Sequence, residues 1–141
     1  MPAGDLKAVM LALRAALAVA MPGRVVERGF IPMAERRDDE LLAGVVCVVS
    51  LGEGDFANWR GREADLGVMD VALVAQIRVA DDRPREAVED AEFDLAEEVK
   101  GFLASQSFPG PIQQCTATSF RQSGQTEFPY GWVTFRLEVR T

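Results

Sequence analysis

From Met69 to Val79 every second residue is apolar: Met69, Val71, Leu73, Ala75, Ile77 and Val79 share one parity. Asp70, Gln76 and Arg78 occupy the other, with Ala72 and Val74 between them. A period of two is that of a β-strand with one face in a core. Such a strand needs neighbours on its edges and a layer over its apolar face. The chain offers the neighbours. Residues 43–51 are β-branched, apolar on both parities and bounded by glycine, as in a strand covered on both faces. Trp132 to Arg140 alternates cleanly, with Val133, Phe135, Leu137 and Val139 inward and Thr134, Arg136, Glu138 and Arg140 outward. Arg24 to Phe30 and Ile112 to Gln122 are weaker strand candidates.

Two amphipathic stretches supply the covering layer. Leu6, Val9, Met10, Leu13, Leu17 and Met21 recur at helical spacing, with Asp5 as a candidate N-cap and Pro22-Gly23 as a stop. After Asp81-Asp82-Arg83-Pro84, a second stripe runs through Ala87, Val88, Ala91, Leu95, Val99, Phe102 and Leu103, and its acids crowd the opposite face. The charged patch Glu35–Glu40 reads as a loop or one helical turn. The order is α-β-β-β-α-β-β. Consecutive strands without crossover helices predict an α+β fold: a mainly antiparallel sheet of four to five strands with two helices packed on it. At 141 residues, 48% apolar and 26% charged, the chain has the length and composition of a single globular domain over 1–141.

The residues offer little chemistry. There is no histidine, and Cys47 and Cys115 each stand alone in a strand-like run, so a zinc site lacks ligands and both thiols read as buried and free. A serine or cysteine nucleophile would lack its usual base. The glycines at 52–54 and 110 match neither a P-loop nor a dinucleotide fingerprint. The expectation is no enzyme, no cofactor and no metal. Leu6 to Met21 is interrupted by Lys7 and Arg14 and is too short to span a bilayer, and Asp5 stands where a signal peptide carries positive charge. A product of the cytoplasm with no membrane anchor is expected.

Charge is concentrated. Between Asp81 and Glu98 nine acids stand against two arginines, which accounts for the whole net charge of −7. Such a block disfavours tight binding to phosphates, so no specific nucleic-acid binding is expected. Glu86, Glu89, Asp90, Asp94 and Glu97 define a candidate acidic face, read either as a solvated surface or as the lining of a channel.

The stretch 52–65, GEGDFANWRGREAD, has no periodicity and is long for a connection inside one domain. Phe56, Trp59, Arg60 and Arg62 within it are of the types enriched at protein interfaces, and they equally suit a loop folded back to cap the sheet. Phe128, Tyr130 and Trp132 form a second aromatic group, read as core or rim packing.

The helix ending at Pro22-Gly23, the long loop at 52–65, the run VMDVALVAQIRVADD followed by PREAVEDAEFDLAEEVKGFL, and the closing FPYGWVTFRLEV together resemble the tail terminator (tail completion, minor tail) proteins of long-tailed bacteriophages. The likeness is one of layout over most of the chain. It implies a virion protein, made in the host cytoplasm, that forms a ring, typically a hexamer, at the head-proximal end of the tail tube. Such a ring stops tube polymerisation and offers a head-joining surface through which DNA passes. Its partners would be copies of itself, the tail-tube protein and head–tail connector proteins, with no cofactor. The 52–65 loop would reach a neighbouring subunit or the tube. Other phage neck or connector proteins share the layout, and a small-molecule-binding α+β domain is the third reading.

Overall fold

The computed structural model describes residues 6–54, 68–105, 108 and 110–140. It is an α+β fold whose five strands form one sheet in the order β1-β2-β3-β5-β4. The elements run α1 (Leu6–Ala20), β1 (Val25–Glu27), a 3-10 turn (Met33–Glu35), α2 (Asp38–Ala43), β2 (Val45–Gly54), β3 (Val68–Arg78), α3 (Glu86–Ala104), β4 (Gln114–Gln122) and β5 (Tyr130–Arg140).

The long alternating strand is central, as its pattern requires. β3 pairs antiparallel with β2 on one side and with β5 on the other, and β5 pairs antiparallel with β4. Met69, Val71, Leu73, Ala75 and Ile77 meet Val133, Phe135, Leu137 and Val139 on one face, all buried. α1 places Val9, Met10, Leu13 and Leu17 on that face, and α3 adds Leu95, Ala96, Val99 and Phe102. α1 lies over β1 and β2, whereas α3 lies over β3, β5 and β4. The two helices therefore lie side by side and in contact on one face of the sheet, α1 toward β1 and α3 toward β4.

Two features differ from the sequence expectation. β1 runs parallel to β2, and a third helix, α2, sits in the stretch read as a loop or one turn. The two go together, because parallel neighbours need a crossover and residues 28–44 make it across the sheet's second face. α2 contacts β3 there and fully buries Leu41. Gly44 ends α2 at φ 90, and a Cβ on it would lie 2.8 Å from Arg24 Nη1, so glycine suits this cap in both conformation and space. Asp5, the expected cap of the first helix, lies outside the described residues.

Among the described residues, both edges of the sheet have stretches without a neighbour. β1 covers β2 only from Val45 to Cys47, and β2 then continues to Gly54 past a bulge between Ser50 and Gly52. β4 forms the other edge, with a bulge between Ala117 and Ser119. β4 residues from Thr116 to Ser119 are exposed.

Both cysteines are free and buried, as the sequence suggested. Burial raises the Cys47 thiol above its ordinary value even with Arg36 beside it, and burial pushes Cys115 up to about 12. Neither is a ready thiolate. We expect both to resist alkylation in the native protein at pH 8 and to react fully in denaturant. Fast native labelling counted by mass spectrometry would contradict this assignment.

Candidate functional site

Two buried polar clusters lie inside the fold, and each is placed by a residue whose charge the local packing has turned inward. The first centres on Glu92, which is 1% exposed on α3. Its Oε2 accepts from the Ser123 hydroxyl at 2.5 Å and from the Trp132 backbone N–H at 3.1 Å, and its Oε1 accepts from Gln122 Nε2 at 3.2 Å. The sequence reading set the acids of the second helix mostly on its solvent face and did not include Glu92 in the candidate acidic face; the structure turns Glu92 inward. Glu92 follows Val88 by four residues and precedes Leu95 by three, so helical geometry aims it at the core. Glu98 also turns aside, pairing with Arg24 at 2.5 Å.

The second cluster lies on the opposite face of the sheet. Arg36, 8% exposed, donates from Nε to Gln76 Oε1 at 3.1 Å, from Nη1 to Glu27 Oε1 at 3.2 Å, and from Nη2 to Cys47 Sγ at 3.2 Å. Gln76 in turn donates to the Ile31 carbonyl at 3.0 Å. Arg36 thereby ties the crossover segment to β1, β2 and β3. Both clusters read as internal locks: their donors and acceptors are spent on one another, and the Cys47 thiol is raised rather than activated.

Surface hollows lined by described residues include three. One of about 370 Å³ lies at the outer end of β2 and β3, where Glu53, Asp70, Glu138 and Arg136 gather and Arg136 is already paired with Asp70. One of about 510 Å³ lies between α1 and the end of α3, lined by Ala12, Ala16, Val19, Phe102 and Phe108 among others. A third of about 350 Å³ is bounded by Met33, Ala34, Glu127 and Tyr130. Among the described residues, no group of three or more histidine, cysteine or acidic side chains is placed to hold a metal. No described helix is long and apolar enough to cross a membrane.

The expected interface residues Phe56, Trp59, Arg60 and Arg62 lie outside the described residues. The structure describes the base of their loop, the β2–β3 hairpin running out to Gly54 and Val68. Of the expected acidic face, Glu86, Asp90, Asp94 and Glu97 are exposed on α3, while Glu89 is half-buried and accepts from Gln125 Nε2 at 3.2 Å. Glu97 pairs with Lys100 at 3.4 Å. Glu86, Asp90 and Asp94 take no hydrogen bond or ion pair among the described residues and follow one another at i, i+4 along a single ridge. Like charges so placed repel weakly. In the second aromatic group Tyr130 and Trp132 are half-buried, with Tyr130 beneath Arg78 and the Trp132 indole donating to Glu127 at 2.8 Å. Rim packing describes them well.

Sequence reasoning passed over two surface features. Phe93 is 43% exposed in the middle of the acidic face. At about 100° per residue it falls between Glu89 on one side and Glu86, Glu97 and Asp90 on the other. α1 is apolar nearly all round, and beyond its buried stripe Leu11 and Val19 stand 50% and 81% exposed. Lys7 and Arg14 are its only charges, and Arg14 Nε donates to the Val26 carbonyl on β1 at 3.2 Å. Neither protein-family models nor curated proteins match this chain.

Proposed function

We propose that this chain is a structural subunit that assembles with copies of itself into a ring. On the resemblance given above, the ring caps the head-proximal end of a phage tail tube, ends tube growth and presents the surface that joins the head. The observation that supports self-assembly is α1. A helix apolar on almost every side belongs in an interior, yet α1 buries only the stripe Val9, Met10, Leu13 and Leu17. Its outward side, with Leu11, Ala15 and Val19, stays in water in the isolated subunit. Covering it stabilises an assembly by roughly 25 cal/mol for each Å² removed from water. The place on the tail rests on layout alone, and a different neck ring is the second reading.

The test is absolute mass by light scattering across a concentration series, followed by imaging and by mixing with tail-tube protein. A discrete ring, or monomers that close into rings beside tube protein, is the expected result. Rings that bind portal or adaptor subunits and ignore tube protein would move the assignment to another neck component. A strict monomer under all these conditions would end the ring reading.

A further inference from the structure

We propose that neighbouring subunits join edge to edge, β4 of one copy adding antiparallel to the uncovered length of β2 in the next; this rests on the ring reading above. An edge strand presents a row of unpaired backbone N–H and C=O groups. The two ends of this sheet present such rows in complementary sense. β2, β3, β5 and β4 are each antiparallel to the one before, so β2 and β4 run opposite ways. Setting β4 of one copy beside β2 of the next repeats the antiparallel pairing already used within the subunit. The rows match as well. Among the described residues, β1 leaves β2 uncovered from Val48 to Gly54, in the rows that run from Leu73–Phe135 to Val68–Arg140. Gln114–Phe120 of β4 stand in the same rows. Each stretch bends at one bulge, and the two bulges flank the row of Val71 and Leu137. Arg121 and Gln122 stand in the rows of Cys47 and Val46, which β1 holds, so β4 enters slid toward Gly54 and β1 acts as its stop.

Side chains leave both edges open. Thr116, Ala117, Thr118 and Ser119 are exposed on β4, and Ser50 and the apolar Leu51 are exposed on β2. Proline and charge, which usually blunt an edge, are absent from Val48–Gly52 and from Gln114–Phe120. A bulge twists an edge locally, and here both edges bulge at neighbouring heights, so their bends agree. The flanking charges are Glu53 on β2 and Arg121 on β4, with Arg28 exposed just past β1. Arg28 and Arg121 are the like charges this contact brings closest, and both are long, exposed side chains that can turn to water. Main-chain hydrogen bonds supply the affinity of such strand addition, and covering Leu51 adds to it. Two like edges can also pair about a two-fold axis, but that contact joins two copies and stops. Joining unlike edges leaves one edge of each kind free on every growing assembly, so the contact repeats and closes into a ring when the rotation permits.

The experiment blocks each edge and then links the two. Ala117→Lys with Ser119→Lys charges the β4 edge, and Ser50→Lys with Leu51→Lys charges the β2 edge, all at positions exposed in the isolated subunit. Circular dichroism confirms that each variant is folded, and light scattering is expected to show assembly weakened about tenfold or more in both. For linking, Leu51→Cys and Thr118→Cys are made singly and together and treated with a short bifunctional thiol reagent; Cys47 and Cys115 are buried, and the treated unaltered chain is the control. The double variant is expected to give a ladder of covalent multimers up to the ring, and each single variant to stay uncrosslinked. Rings from both lysine variants at unaltered affinity would overturn this contact and leave the ring reading standing. So would rings of the double-cysteine chain without a ladder, or covalent dimers from Thr118→Cys alone, which would mark pairing of two β4 edges. An unaltered chain that stays monomeric at every concentration would overturn both.

Discussion

Glu92→Ala should lower the stability of the folded chain by about 3 kcal/mol, read as a shift of the urea midpoint at constant slope. The substitution strands three donors that now point at one carboxylate: the Ser123 hydroxyl, the Trp132 backbone N–H and the Gln122 amide. Each buried donor left without an acceptor costs on the order of 1–3 kcal/mol, and water entering the vacated space recovers part of that. The site cannot close around the loss without moving backbone. Gly131 packs so tightly there that a Cβ on it would lie 2.6 Å from Glu92 Oε2 and 2.6 Å from Val88 Cγ1. Glu92→Gln separates hydrogen bonding from charge. One amide oxygen still serves Ser123 and Trp132, and the Gln122 amide can turn its own oxygen toward the new NH2, so a loss of only about 1 kcal/mol is expected. If Glu92→Ala unfolds at the same urea concentration as the unaltered chain, the carboxylate does not hold α3 to the turn between β4 and β5.

The contrast between Glu92 and its neighbours shows what the sequence could and could not disclose. β5 was legible because its burial alternates over most of its length, and β3 because one parity, Met69 to Ile77, is apolar throughout, although its second face also buries Ala72 and Gln76. α1 and α3 were legible because their buried residues recur at helical spacing. Within α3, however, the acids were placed mostly on the solvent face as a group, and the inward role of Glu92 was not singled out. Helical phase alone places Glu92 with Val88 and Leu95 on the core side, and Phe93 among the acids on the solvent side. That signal was present and outweighed by the ordinary preference of charge for water. α2 and the parallel β1 gave no comparable signal. Six residues with three acids and one fully buried leucine carry too little periodicity to announce a helix, and three residues of β1 cannot fix a strand direction. The candidate surface was half legible: the acidic ridge stands in the sequence, but the apolar outer side of α1, with Leu11 and Val19 exposed, appears only once the fold shows which stripe of that helix the sheet covers.

Arg36 poses the same question on the other face, and Arg36→Ala should cost about 3 kcal/mol as well. Its side chain is 1% exposed beside a Glu27 side chain that is 33% exposed. Removing the guanidinium therefore returns Glu27 to water at little penalty but leaves buried Gln76 Oε1 without its donor and the covering layer without its tie. Arg36→Lys should recover little, because one ammonium cannot span the fork that reaches Gln76, Glu27 and Cys47 together. The local consequence is sharper than the global one. Cys47 lies under the crossover segment, its thiol donating to the Gly29 carbonyl at 3.5 Å, whereas Cys115 packs in the main core beneath the helices. Loosening the crossover layer in Arg36→Ala should therefore expose Cys47 to alkylation in the native protein while Cys115 stays protected. Peptide mapping of the labelled protein distinguishes the two thiols. Equal protection of both, with an unchanged urea midpoint, would mean that burial of Leu41 holds this layer down without help from the arginine.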